Sequence, residues 1–417
     1  MNNSSRFLPT TRREFLQQSG RGIGLLAFSQ FAPSFLVEST LAATPAPEKD
    51  RPILVLVQLA GGNDGLNTVV PFEDADYYRL RPTLGVAKGE VRRLSDTLGL
   101  NPACAGLHGL FHDGKLGVVQ NVGYPNPNRS HFRSTEIWET GSDSNEYLAS
   151  GWIGRFLDNA CTGAPAGTDP LAVHVTPDTP QSFLAEASHS TFGLNPHARP
   201  ARGRRDPLTL LEALSKPSPG HHDHDNQGFL QQTIMNALVT ERRVQNVLGA
   251  YRSEVAYPGN SFGQSLRSVA ALIAAGLPTR VYFVSLGGFD THSNQLATHR
   301  NLLTTLSDGL VAFQKDLELH RLDSQVLTMT FSEFGRRPAE NESRGTDHGT
   351  AAPLFVMGSK VQGGLHGSAP SLKLNRGQDL AYSTDFRQVY STVLDRWFSC
   401  PTAGVLDGNY RPLGFIG

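Results

Sequence analysis

The sequence predicts an α/β fold on a mostly parallel sheet with helices covering both faces. Three observations carry this. Short apolar, β-branched runs recur along the chain. Stretches of helical periodicity separate them, and each of the four principal runs stops at a polar motif. Strands buried on both faces read as continuous apolar runs rather than as an alternation. Ligands of such sheets lie outside the carboxyl ends of the strands, so the motifs that follow the runs are where function is sought.

The elements follow in chain order. Residues 52–60 (PILVLVQLA) read as the first buried strand, and Gly61-Gly62-Asn63-Asp64-Gly65 follow at once. Residues 115–121 (KLGVVQN) are the second, leading through a Pro/Asn segment at 124–130. A helix is expected over 131–140, with Ser130 at its N-cap. Further helices are expected over 229–253 and 264–277. The latter runs into a third strand, 280–286, which ends in Gly287-Gly288-Phe289-Asp290-Thr291-His292. Residues 299–322 place Leu302, Leu306, Leu310, Phe313 and Leu317 on one helical face. The fourth strand, 325–331, precedes Ser332-Glu333-Phe334-Gly335-Arg336, and the fifth, 353–358, follows Asp347-His348-Gly349.

Composition narrows the class. A hydrophobic share of 39% in 417 residues allows a sizeable core and excludes a disordered chain. With 37 basic and 38 acidic residues, nothing suggests a nucleic-acid or anionic-membrane partner. Cys104, Cys161 and Cys400 allow one disulfide at most, and no C-x-x-C offers a thiolate zinc site.

The first 45 residues read as an address. Thr11-Arg12-Arg13-Glu14-Phe15-Leu16 resembles the twin-arginine export signal. The apolar stretch after it, 22–37, is shorter than the roughly 20 apolar residues that span a bilayer. Small residues at Ala42, Ala43 and Ala46 suit cleavage. The expectation is delivery by the twin-arginine machinery to the periplasm or the exterior, with no stable membrane span. Residues 50–417 are expected to form a single domain. Within it, 195–227 carry five prolines and His221-His222-Asp223-His224-Asp225, which read as a solvated surface insertion.

The chemistry-bearing residues at the strand ends are Asp64, Asp290, His292, Asp347, His348 and, further on, His366. Imidazole mixed with carboxylate suits Zn²⁺ or Mn²⁺ better than Ca²⁺ or Mg²⁺. Six ligands are enough for two metals about 4 Å apart, which can clamp both oxygens of an in-line displacement. Ser130, at a helix N-terminus, is the candidate nucleophile, with backbone N–H groups beside it to receive an anion. Arg129, Arg133 and Arg336 are candidates for gripping substrate oxyanions. Glu333 is a further ligand or a partner that orients a histidine.

Five segments carry a resemblance: 58–68, 128–132, 287–295, 332–336 and 345–349. Together they resemble the exported bacterial family known as domain of unknown function 1501, itself similar to the alkaline phosphatase and sulfatase superfamily. The resemblance implies an alkaline-phosphatase-like three-layer α/β fold with a mostly parallel central sheet. It implies that Asp64, Asp347 and His348 hold one metal, that Asp290, His292 and His366 hold the other, and that Ser130 is the nucleophile. The superfamily spaces the Asp and His of the middle loop four apart. Asp290 and His292 are two apart, and His299 is a substitute candidate. No cysteine or serine sits in the motif of formylglycine sulfatases. The function implied is an exported metal-dependent hydrolase of phosphate or sulfate esters, acting on a small-molecule or envelope substrate. The alternative is a non-catalytic envelope binding or assembly protein that retains the fold.

Overall fold

The computed structural model describes residues 51–159, 169–187, 189, 191–194, 240–375 and 377–417. The expected leader, the expected insertion at 195–227 and Cys161 lie outside the described residues. So does the start of the 229–253 helix, which is described as helix over 240–250. The chain divides into two compact units, residues 1–47 with 197–249 and residues 48–196 with 250–417. Of the first, only 240–249 are described; the sheet and the site belong to the second.

Ile53–Ala60 form β1, whose first five residues are fully buried. Gly65–Thr68 make a single turn, α1, capped by Asp64. Val69–Val70 (β2), Arg92–Arg93 (β3) and Gly99–Leu100 (β4) form a separate small sheet, with Ala75–Leu80 (α2) beside them in sequence. Ala105–His112 (α3) lead into Leu116–Gly123 (β5), and His131–Thr140 form α4. Trp152–Asp158 (α5), Ala172–Val175 (β6), Thr191–Gly193 (β7), Ser261–Ala274 (α6) and Val281–Gly287 (β8) follow. The chain continues through Gln295–Leu319 (α7), Val326–Phe331 (β9), Ala352–Met357 (β10), Gly364–His366 (β11), Thr384–Asp385 (β12) and Phe386–Thr392 (α8).

Among the described residues the main sheet runs β11-β5-β10-β9-β1-β8-β6-β7, with β12 also paired to β5. β8 and β9 flank β1 in parallel register, so their ends share one edge. β10 is antiparallel to both β9 and β5. Its reversal has a consequence for the site. The loop joining β9 to β10 starts and finishes at the carboxyl edge, which holds residues 332–351 there. The mostly parallel α/β architecture read from the sequence is the one observed.

α4 shows how sequence sets an element. Ser130 enters it in extended geometry, and Gly141 ends it at φ 71, a left-handed position that glycine adopts without steric cost. Its inner face places Trp138 on Phe386, ring centroids 4.5 Å apart, and Trp152 of α5 stacks on Tyr390 at 4.2 Å.

Glu139, beside Trp138, is buried and accepts the Ser182 N–H at 3.1 Å. Burial pushes its carboxyl up to about 7, against the lowering effect of hydrogen bonds from Ser182 and Gln181. The folded value lies above the unfolded one. Stability is therefore lost as pH rises from about 4.5 through 7, by roughly 3 kcal/mol at 1.36 kcal/mol per pH unit. Glu139→Gln keeps an acceptor for Ser182 and carries no charge. Its melting temperature should exceed that of wild type at pH 8, and the gap should close near pH 4.5. A pH-independent difference would contradict this account.

Candidate metal centre

Three loops meet at the carboxyl edge because glycine lets their backbones touch. Gly61, after β1, has φ +116, and a Cβ there would collide with the Asp290 backbone nitrogen. Arg336 then ties the loops together from a buried position. Its Nε donates to the Gly62 carbonyl at 2.7 Å and its Nη1 to the Thr346 carbonyl at 2.8 Å. Its Nη2 donates to the Gly61 carbonyl, to the Phe289 carbonyl at 3.1 Å, and to Asp290 Oδ1 at 2.6 Å.

On this frame His131, His292 and His348 converge on one carboxylate. Each ring has an oxygen acceptor at Nδ1. Glu333 Oε1 lies 2.9 Å from that of His131, Asp347 Oδ1 3.2 Å from that of His292, and the Arg129 carbonyl 2.8 Å from that of His348. Carbonyls and carboxylates only accept, so a ring that donates from Nδ1 presents a bare Nε2. Those nitrogens face Asp290. They lie 3.5 Å from Oδ2 (His131), and 3.0 Å (His292) and 3.1 Å (His348) from Oδ1. The Nε2 atoms of His292 and His348 are 2.9 Å apart.

With Nδ1 as the donor of each ring, several electron-pair donors point at one another, an arrangement satisfied by a cation between them. Donor atoms of His131, Asp290 and His348 all lie within 4.8 Å of each other. Two imidazoles and a carboxylate with an open fourth position match the ligand pattern of catalytic zinc. The anchored Nδ1 atoms are the outer contacts that such ligands need. Burial raises the Asp290 pKa, but hydrogen bonds from Arg336 and His348 outweigh it and bring the carboxyl to about 2, so it is ionised. Asp347 is also held low, first by the Asn341 side chain, which donates to its Oδ1 at 3.1 Å. The group is open to solvent on the Asp290, His292 and Asp347 side.

Of the residues singled out from sequence, the edge brings together Asp290, His292, Asp347 and His348, with Glu333 behind them. Asp64 is engaged elsewhere. It is fully buried, paired with Arg81, and takes further hydrogen bonds from Gln295 and from the Asn67 N–H at 3.3 Å. The expected grouping of Asp64 with Asp347 and His348 is therefore replaced by an ion pair. His366 is also apart. Its register partner on β5 is Val119, four residues before the strand ends at Gly123, or ~13 Å short of the edge. Its Nε2 lies 2.7 Å from the Gln362 carbonyl.

Ser130 is exposed, and its hydroxyl makes no capping hydrogen bond. Arg129 is paired with Asp379. Arg133 is turned away from the group, 3.9 Å over the Tyr147 ring and bonded to the carbonyls of Asp143, Ser144 and Glu146. Arg336 is a positioning residue, since its donors go to backbone carbonyls and to Asp290. His299, the substitute candidate, is buried with Nε2 3.0 Å from Asn63 Oδ1, and burial depresses its pKa to about 4. His131 was not among the sequence-derived candidates. The available signal was a histidine directly after Ser130, on the first turn of a helix that starts at the sheet edge.

A family model described as "Protein of unknown function (DUF1501)" matches residues 114–399. The chain belongs to that family. The DUF1501 segment holds every member of the convergent group, from His131 to His348, and leaves out β1 and Asp64. No curated protein matches the chain. Similar solved structures belong to the alkaline phosphatase and sulfatase superfamily. One is Ps i-CgsB in complex with k-i-k-neocarrahexaose, at 11% identity and TM-score 0.39, covering 86% of this chain and 75% of that one. Another is alkaline phosphatase from the Antarctic bacterium TAB5, at 12% identity and TM-score 0.31, covering 75% and 93%. A third is a protein in the alkaline phosphatase superfamily from Vibrio parahaemolyticus, at 8% identity and TM-score 0.33, covering 86% and 71%. These likenesses concern fold alone.

Proposed function

We propose that this DUF1501 protein is an exported, metal-dependent hydrolase of phosphate or sulfate esters. The observation that carries the reading is the convergence of His131, His292 and His348 on Asp290 with every Nδ1 anchored. A zinc or manganese ion held by His131, Asp290 and His348 would supply Lewis-acid polarisation of an ester oxygen. The chain's own residues do the rest. Glu333 and the Arg129 carbonyl orient the rings, and Arg336 keeps Asp290 ionised and in place. Ser130 presents a free hydroxyl beside His131, and the first-turn N–H groups of α4 favour an anion there.

The test is metal stoichiometry of the purified chain beside turnover of a generic phosphate monoester, phosphate diester and sulfate ester. Ser130→Ala should keep its metal and lose turnover by on the order of 10³-fold. Undiminished turnover in Ser130→Ala would remove it as the nucleophile.

A second reading is a non-catalytic envelope binding or assembly protein. It is favoured by the pairing of Asp64 with Arg81, which leaves one ligand group rather than two among the described residues at this edge. A wild-type chain that holds no metal and cleaves none of the three esters would establish it over the first.

Export through the twin-arginine machinery is part of the proposal and is supported by residues 11–16. Among the described residues, no helix is long and apolar enough to cross a membrane. Arg12→Lys with Arg13→Lys should leave an uncleaved precursor in the cytoplasm. Cell fractionation that finds the mature chain outside the inner membrane would refute this route.

A further inference from the structure

A second histidine arrangement lies at the other end of β5. His108 and His112 are four apart on α3 and so share one helix face. Their Nε2 atoms are 3.0 Å apart, with ring centroids at 4.4 Å and planes 82° apart. The Arg93 carbonyl oxygen also lies 3.0 Å from His108 Nε2. His112 is exposed and His108 half-buried, so an ion can reach both.

The spacing suits a cis pair of ligands. With metal–nitrogen bonds of about 2.0–2.1 Å, nitrogens 3.0 Å apart subtend ~94° at the metal. A tetrahedral site, near ~109°, would need them ~3.3 Å apart. An angle close to a right angle is the cis angle of tetragonal coordination, the preference of Cu²⁺ and Ni²⁺, and Cu²⁺ heads the affinity order for nitrogen donors. The Arg93 carbonyl has the same spacing from His108 Nε2 and can act as another cis neighbour. Burial lowers the His108 pKa, opposed by the Arg93 carbonyl and reinforced by the neighbouring His112 and Arg92. As a ligand the His108 ring carries its proton on Nδ1, and Nε2 gives up its hydrogen bond to the Arg93 carbonyl.

We propose that His108 and His112 form a cupric-ion site, chelated through both Nε2 atoms and independent of the His131 group. Independence follows from topology. His112 sits just before β5, and His131 lies beyond its other end. The eight residues of β5 alone span ~26 Å.

The test uses the full-length chain with His131, His292 and His348 changed to Ala and with His221, His222 and His224 changed to Gln, so that other imidazole clusters are removed. Titration with copper(II) chloride, followed by calorimetry and electron paramagnetic resonance, should find one tetragonal Cu²⁺ with two nitrogen ligands. His112→Gln, at an exposed helix end, should weaken it at least tenfold, as should His108→Gln. Zn²⁺ should bind at least tenfold more weakly than Cu²⁺. In the otherwise wild-type chain, His112→Gln should lower the copper stoichiometry by one. Copper affinity unchanged by either substitution, or Zn²⁺ binding as tight as Cu²⁺, would overturn the proposal.

Discussion

On the proposed metal-hydrolase reading, replacing His348 with alanine is expected to strip the metal, abolish ester turnover and lower the melting temperature together. In the proposed site the ring supplies one of three donors, and its Nδ1 is anchored on the Arg129 carbonyl. A metal that binds only the folded chain adds RT ln(1 + [L]/Kd), which is about 4 kcal/mol when free metal is roughly 1,000 times Kd. Alanine also removes the packing of the ring on Phe334, centroids 4.5 Å apart. A chelator separates the two losses. It should lower the melting temperature of wild type and leave that of His348→Ala unchanged. Equal metal content in the two proteins, with wild type indifferent to the chelator, would remove His348 from the ligand set.

Arg81→Met is expected to be the most destabilising single change outside that group. Both partners of the Arg81–Asp64 pair have fully buried side chains. Methionine leaves an uncompensated buried charge, at a cost of about 3–5 kcal/mol. Burial raises the Asp64 pKa, but in wild type the charge of Arg81 and its hydrogen bond win and hold it below the ordinary value. Wild type therefore loses the contribution of this pair only as pH falls through that depressed value. Without Arg81, burial acts unopposed by its charge, and the pKa of Asp64 rises. The variant then loses stability as pH increases above the unfolded value. The deficit should be widest near pH 7 and shrink towards pH 4, and Asp64→Asn should rescue much of it. Urea denaturation of both variants at the two pH values measures this. A constant deficit without rescue would show that the loss is one of packing.

The sheet was legible because its central strands are long and buried. Runs read at 52–60, 115–121, 280–286, 325–331 and 353–358 became β1, β5, β8, β9 and β10, shifted by no more than two residues at either end. β6, β7, β11 and β12 have two to four residues each, too few for a periodic signal, and only their neighbours specify them. The same limit explains His366, whose place depends on the register of β11 on β5 and not on spacing along the chain. Asp64 shows a different gap. An aspartate after a strand reads alike whether it meets a metal or a guanidinium. Its partner lies 17 residues away, at the end of α2. The Asp290-x-His292 spacing, shorter than the superfamily's, suits the loop: His292 Nε2 comes within 3.0 Å of Asp290 Oδ1.

Arg336 gives the site a cooperative character. Its guanidinium bonds four carbonyls, on the segments after β1, after β8 and before β10. An outward movement of any one segment breaks bonds to a buried cation that the other two still hold. The least costly opening is therefore release of all three at once. Amide protons over 61–64, 289–292 and 345–348 should then exchange with solvent as one unit, with a common opening free energy. The rim is then either fully assembled or fully undone, rather than one that closes loop by loop.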